Sequence, residues 1–134
     1  MEKRRELKPR EEALMNFLWE KKEPMTPNEM ASELQKDGWS NVTVYKIVQA
    51  LSEENYLEID SFEKTAKTYA RKLIPTISKE EYYSSLLMDK GFDSSAIAEL
   101  TASFIGANSL KQKDKNKQVI KKLEEVISQL KGED

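Results

Sequence analysis

Among 134 residues there is no cysteine and no histidine. That double absence removes thiolate nucleophiles, imidazole general bases, disulfide frameworks and the ligand sets of zinc fingers. Glycine is scarce as well, with four scattered copies, so no Gly-rich loop is available to cradle phosphates. No run approaches the roughly 18 to 20 consecutive apolar residues of a membrane span. The start Met1-Glu2-Lys3-Arg4-Arg5-Glu6 lacks the apolar stretch of a signal peptide. These absences lead us to expect a cytoplasmic protein without membrane insertion. An excess of one charge is missing too: 22 basic against 24 acidic residues leave a net charge of -2. Any affinity for nucleic acid must then come from a local patch rather than from the whole molecule. The carboxylate pairs Glu11-Glu12, Glu80-Glu81 and Glu124-Glu125 are sequence neighbours, which a helix points about 100° apart. They read as helix-start and surface charge, so no enzyme, cofactor or metal site is expected.

What the chain has in quantity is charge, 34% of residues, above the roughly 25% of ordinary soluble domains. Such a surface-rich composition fits a mainly helical, oligomeric protein. The first periodic segment runs from Pro9 to about Glu20, with Leu14, Phe17 and Leu18 on one stripe, Trp19 at its edge and Leu7 placed to staple the entry. Thr26-Pro27-Asn28-Glu29 has the pattern of a capping box and opens a short helix carrying Met30, Ala31 and Leu34, which stops at Asp37-Gly38. Ser40 caps a third helix predicted to reach about Asn55. Val44, Ile47, Val48 and Leu51 share one side of it, while Val42, Tyr45, Lys46 and Gln49 face the other way. Solvated helix faces usually carry Glu and Lys, so an apolar and an aromatic residue beside Lys46 and Gln49 stand out.

After Asn55 the period changes to two. Tyr56 to Ile59 and Lys67 to Ile74 alternate around a polar stretch from Asp60 to Ala66, the pattern of a small antiparallel hairpin that Pro75 ends. Lys64, Lys67, Arg71 and Lys72 make it locally basic. Helical periodicity then returns: Ser78-Lys79-Glu80-Glu81 repeats the capping box ahead of Tyr82, Tyr83, Leu86 and Leu87. A further helix carries Ile97, Leu100, Phe104 and Ile105, and a last one, from about Asn116, places Ile120, Leu123, Ile127 and Leu130 at 3-4-3 spacing. The alternating run Lys111, Lys113, Lys115, Lys117 reads as a solvated connector between them.

The order of elements predicts a mainly α fold, a winged helix-turn-helix with a small antiparallel β-hairpin wing followed by a helical region, divided as 1–75 and 76–134. The three C-terminal helices bury their stripes poorly alone. We expect them to meet a second copy through Tyr83, Leu86, Leu87, Ile97, Leu100, Phe104, Ile120, Leu123, Ile127 and Leu130; the rival arrangement folds them over the first unit as a lid. In the first region, the third helix has side chains suited to the roughly 12 Å wide major groove of DNA. Asn41, Lys46 and Gln49 carry donors for base edges, Val42 and Tyr45 offer apolar contact to a thymine methyl, and the amides near Ser40 suit a phosphate. Lys64, Lys67 and Arg71 would grip the adjacent backbone. The alternative is a winged-helix adaptor that binds a protein through Val42, Tyr45 and the hairpin, without DNA.

The runs Leu14-Met15-Asn16-Phe17-Leu18-Trp19, Met25-Thr26-Pro27-Asn28-Glu29 and Ser40 through Leu51 resemble the penicillinase repressor family, the BlaI/MecI/CopY group. So do Lys67-Thr68-Tyr69 and Ser78-Lys79-Glu80-Glu81-Tyr82. The resemblance implies a homodimeric bacterial repressor whose winged helix binds a dyad-symmetric operator in double-stranded DNA and whose C-terminal helices interlock. Ser40 and Thr43 match the family's serine and threonine at the start of the recognition helix. The serine caps that helix and touches phosphate; the threonine sits on the groove-side flank. Tyr45 and Lys46 stand where relatives often have Arg and Thr, so the resemblance does not fix the operator sequence. Lys67 matches a basic wing position and Tyr69 the strand's aromatic, whereas Ala70-Arg71 departs from the aromatic that commonly follows. Copper-responsive members end in a cysteine-rich metal site, which this chain lacks, so the resemblance points to the β-lactam-responsive type. There an inducing protease cuts the dimerisation segment beside a phenylalanine preceded by asparagine. Phe104 occupies the comparable place, with Ser103 before it.

Overall fold

The computed structural model describes residues 5–107 and 113–132. The chain divides into two compact units, one ending at Lys90 and the other starting at Gly91. The first holds helices α1 (Pro9–Lys21), α2 (Pro27–Leu34) and α3 (Asn41–Glu53), strands β1 (Leu57–Lys64) and β2 (Tyr69–Pro75), and helix α4 (Lys79–Asp89). The second holds α5 (Ile97–Ala107) and α6 (Lys113–Leu130).

Each helix of the first unit starts where its sequence provides a cap. Pro9 sits at the first position of α1, where its missing amide costs nothing. Glu11 accepts the Lys8 amide at 2.9 Å and both terminal nitrogens of Arg5 at 2.7 Å. A buried carboxylate is expensive unless paired, and Arg5, helped by the Lys8 amide, holds the Glu11 carboxyl below the usual carboxylate range. Arg5 also lies 3.6 Å from Glu54 just past the end of α3. In α2 the capping box closes as its pattern predicts. Thr26 Oγ1 accepts the Glu29 amide at 3.1 Å and Glu29 accepts the Thr26 amide at 3.0 Å, a device worth about 1 kcal/mol. A single 3₁₀ turn, Gln35–Asp37, ends at Gly38 with φ 82°, a left-handed conformation that glycine adopts without steric cost.

Leu14, Met15 and Leu18 from α1, Met30 from α2, and Val44 and Leu51 from α3 are fully buried together with Tyr56. Each buried aliphatic of this size contributes about 1.5 to 3 kcal/mol. The root of the hairpin joins this core through Leu57 and Leu73, and α4 joins it through Tyr82. β2 lies between two neighbours: β1 on one edge, and on the other the stretch before α2, where Met25 and Leu73 exchange hydrogen bonds of 3.1 and 2.8 Å.

Several boundaries differ from the sequence expectation. Asp60 to Lys64, expected in the loop, belong to β1, so the turn is only residues 65 to 68, closed by the Thr65 amide donating to Thr68 O at 2.7 Å. Two threonines supplied a tighter turn than the polar composition implied. α4 belongs to the first unit. The Tyr82 hydroxyl accepts the Leu7 amide at 2.9 Å, and the Tyr83 hydroxyl donates to Glu12 at 2.9 Å. Trp19 Nε1 donates to Ile77 O at 2.9 Å, and the Trp19 and Tyr82 rings lie 5.9 Å apart. These contacts carry the first compact unit past Pro75 to Lys90. Finally, Lys113, Lys115 and Lys117 are part of α6 rather than of a connector; Lys111 lies outside the described residues.

Candidate nucleic-acid interface

Ser40 is extended (φ -82°, ψ 153°) and its Oγ accepts the Thr43 amide at 3.1 Å, which starts α3 cleanly. The same hydroxyl donates to Thr43 Oγ1 at 2.8 Å. Its single proton is thereby used, and the outward donor of the pair is the Thr43 hydroxyl. One residue earlier, the half-buried Trp39 ring lies 4.9 Å below the Arg10 guanidinium. Such a contact is worth about 0.5 to 1 kcal/mol at a surface and ties the turn before α3 to α1.

With Val44, Val48 and Leu51 directed into the core, the opposite side of α3 is left outside. Asn41, Val42, Tyr45, Lys46 and Gln49 are all exposed there, Val42 at 62% and Tyr45 at 41%. This is the mixed face that helical periodicity predicted. Gln49 Nε2 donates to Glu53 Oε1 at 3.3 Å, which orients its carboxamide along the helix.

Next to this face lies the wing. A cleft of about 430 Å³ runs between α3 and β2, lined among others by Pro27, Tyr45, Gln49, Glu53, Arg71 and Leu73. The fold therefore brings Tyr45, Gln49 and Arg71 to one place. Lys64 is farther along the hairpin, paired across the strands with Tyr69, and Lys67 sits in the turn. Among the described residues, Lys46, Lys64, Lys67 and Arg71 make no ion pair. Lys72 is different: it lies 3.6 Å from Glu29 at the start of α2. The Thr26 amide, with Lys72 assisting, keeps that carboxyl below the usual carboxylate range. Arg71 and Lys72, adjacent in sequence, thus serve opposite faces of one strand, the former in the cleft and the latter against α2.

Two features of this surface escaped the sequence reading. Phe62 is 61% exposed on β1 opposite Arg71, and Glu53 adds a carboxylate to the cleft. Phe62 was hidden because Asp60 to Ala66 looked like a polar loop. An aromatic inside such a stretch is the signal that would have revealed it.

The residues assigned to association fall in two places. Tyr83 and Leu86 pack against the core of the first unit, and Leu87 on the same helix is half-buried. In the second unit, Ile97, Phe104, Ile120, Ile127 and Leu130 are exposed, and Leu100 and Leu123 are half-buried. Ser103 and Phe104 lie inside α5, both on its exposed side. Among the described residues no group of three acidic side chains is arranged to hold a metal ion, and no helix is long and apolar enough to cross a membrane.

The arrangement offers short donors and apolar groups on the outer face of one helix, flanked by cations on a hairpin. That is the chemistry of base-edge reading combined with phosphate contact. Residues 7–129 match the family model described as "Penicillinase repressor". No curated protein matches the chain.

Proposed function

The chain belongs to the penicillinase repressor family, whose members are DNA-binding transcriptional repressors rather than enzymes, and from that premise we propose that it acts as a homodimer on an inverted-repeat operator. The observation that carries this reading is the outer face of α3. Val42, Tyr45, Lys46 and Gln49 are exposed in a row while the helix is fixed from behind by Val44, Val48 and Leu51. In this reading α3 enters the major groove. Asn41, Lys46 and Gln49 meet base edges, Val42 and Tyr45 pack on thymine methyls, and Thr43 donates to a phosphate beside the Ser40 cap. Lys64, Lys67 and Arg71 hold the flanking backbone.

The dimer forms through the second unit. On the apolar stripe of α6, Ile120 at 55%, Ile127 at 50% and Leu130 at 66% are exposed around the half-buried Leu123, and most of a helix's stability in a protein comes from covering such a face. Two copies would present their recognition helices about 34 Å apart, one turn of duplex. Without cysteine, the chain is a regulator of the β-lactam-resistance type rather than a copper sensor. Relief of repression by an inducing protease would act at Ser103-Phe104. That bond lies within a helix, so α5 must open locally before cleavage.

Selection of a random duplex library on the purified full-length chain tests the reading. The expected winner is an inverted repeat bound by two chains, with affinity falling by about 0.9 log units per log unit of salt for each phosphate neutralised. Lys46→Ala should relax the choice at one or two base pairs of each half-site by roughly 1 to 3 kcal/mol; a uniform loss over all sequences would make Lys46 a phosphate contact instead. Absence of any enriched sequence, with the dimer intact, would favour a protein-binding winged helix.

A further inference from the structure

Along most of the hairpin the strands pair residue for residue, but between Ile59 and Ser61 the register slips. Ile59 pairs with Leu73 and Ser61 already with Lys72, so Asp60 is an extra residue, a β-bulge. Side chains alternate between the faces of a sheet, and one inserted residue exchanges the faces of everything beyond it. On β2 the residues Tyr69, Arg71 and Leu73 share a face, and Arg71 and Leu73 line the cleft beside α3. Their cross-strand partners on β1 are Lys64, Phe62 and Ile59. Ser61 and Glu63 pair instead with Lys72 and Ala70 and lie on the opposite face. Unbroken alternation from Ile59 would have put Ser61 and Glu63 beside the recognition helix and turned Phe62 and Lys64 away. The bulge therefore sorts the hairpin. The face continuous with the cleft holds two cations and two aromatics, Phe62 and Tyr69 at 61% and 62% exposure. The wing's Glu58 and Glu63 are on the other.

Resting on the DNA-binding reading above, we infer that this bulge-sorted face of the wing is a second reading head. Phe62 and Tyr69 seat in the minor groove flanking each half-site while Lys64 and Arg71 hold its phosphate walls. A solvated hairpin has no use for two exposed rings. A surface built for phosphate alone would need only the cations, whereas rings alternating with cations match a groove whose walls carry apolar sugar faces between charged phosphates. The occupant is duplex DNA because the face is continuous with the Tyr45-Gln49 side of α3 and because Glu58 and Glu63 are kept off it. Sequence preference follows from the floor of the groove. Guanine projects an amino group there and A·T pairs do not, and apolar side chains entering a minor groove favour steps that open easily. The wing should prefer A·T pairs next to the half-site.

The test uses the full-length chain and a duplex library built on the inverted repeat that the wild type enriches, with the flanking positions randomised. The wild type should favour A·T over G·C flanks by roughly five- to tenfold. Phe62→Ala should reduce that ratio to near one while leaving the half-site choice as it was, and Phe62→Leu, which keeps an apolar wedge, should recover most of it. Lys64→Gln should lower affinity for all flanks and make the salt dependence shallower, without changing the ratio. Phe62 is exposed, so these variants should keep the wild-type thermal transition. A flank preference unchanged in Phe62→Ala and Tyr69→Ala, or absent in the wild type while the half-site is strongly selected, would overturn the inference alone. Failure to enrich any half-site would overturn the DNA-binding reading and take this inference with it.

Discussion

The first unit directs its large apolar side chains into a core assembled from six elements, with Leu14, Met30, Val44, Leu51 and Tyr56 sealed from solvent. In the second, none of the described residues is buried, although Phe104, Ile105, Ile120, Ile127 and Leu130 are as apolar as those. The contrast lies in connectivity. Short links at 22–26 and 35–40 and a tight hairpin fold three helices and two strands onto one another, whereas α5 and α6 offer only stripes. Hydrophobic burial scales with the surface a fold removes from water. One unit can therefore be stable by itself, and the other depends on what covers it.

The comparison breaks first at the core. Leu14→Ala removes a fully buried side chain from α1 and should lower the stability of the first unit by about 2 to 5 kcal/mol. Urea unfolding followed through Trp19 and Trp39 would report it, with the mass of the native protein unchanged. The converse variant is Ile127→Asp. A carboxylate in the middle of the α6 stripe should weaken the proposed dimer by about 1 to 3 kcal/mol, seen by sedimentation as a shift to monomer relative to the wild type. Denaturation of the first unit should be unaltered. If that variant instead unfolded the first unit, the helices would be its lid and the contrast between the units would disappear.

A finer distinction comes from pH. Glu11 is held below its ordinary range in the folded first unit. Its contribution is therefore complete above the usual carboxylate pKa and fades as pH falls through the lowered folded value. Burial pushes the Tyr82 phenol above its ordinary range. That contribution is complete below the phenol's ordinary pKa and is lost as pH rises through the raised folded value. Both losses belong to the first unit, so acid and alkaline titrations monitored at its two tryptophans should move together with its denaturation midpoint. Glu11→Gln should flatten the acid limb and cost about 1 to 2 kcal/mol at neutral pH. The smallest effect is at the start of α3. Ser40→Ala removes the cap and should cost about 1 kcal/mol of stability, with DNA affinity falling mainly through loss of order in the Thr43 turn.

Much of the first unit was legible because its signals are local. Thr26-Pro27-Asn28-Glu29 and Ser78 through Glu81 form capping boxes as their patterns require, and the two faces of α3 follow directly from the spacing of Val44, Val48 and Leu51. What was not legible depends on distant partners. Tyr83 and Leu86 read as one more exposed stripe because nothing near them in sequence announces Glu12, Asn16 or the back of α1. The candidate interface divides in the same way. Val42, Tyr45, Lys46 and Gln49 are a helical pattern and were readable. Phe62 depends on a register slip, which no alternation of residue types encodes. The donor role proposed for Thr43 depends on where the Ser40 proton goes, and that is a matter of geometry alone.

The extra residue at Asp60 has a further consequence, for life in a concentrated solution. β2 is paired on both edges, by β1 and by Met25, but the outer edge of β1 has no strand beside it among the described residues. An open, regular edge is a template on which other chains add strands, the first step of sheet aggregation. A bulge in mid-strand interrupts that template, and Glu58, Asp60, Glu63 and Lys64 strew charge along it. Removing Asp60 would leave a straighter, more regular border. The hairpin of this repressor would then be expected to recruit its own copies edge to edge, trading a clear solution for a precipitate.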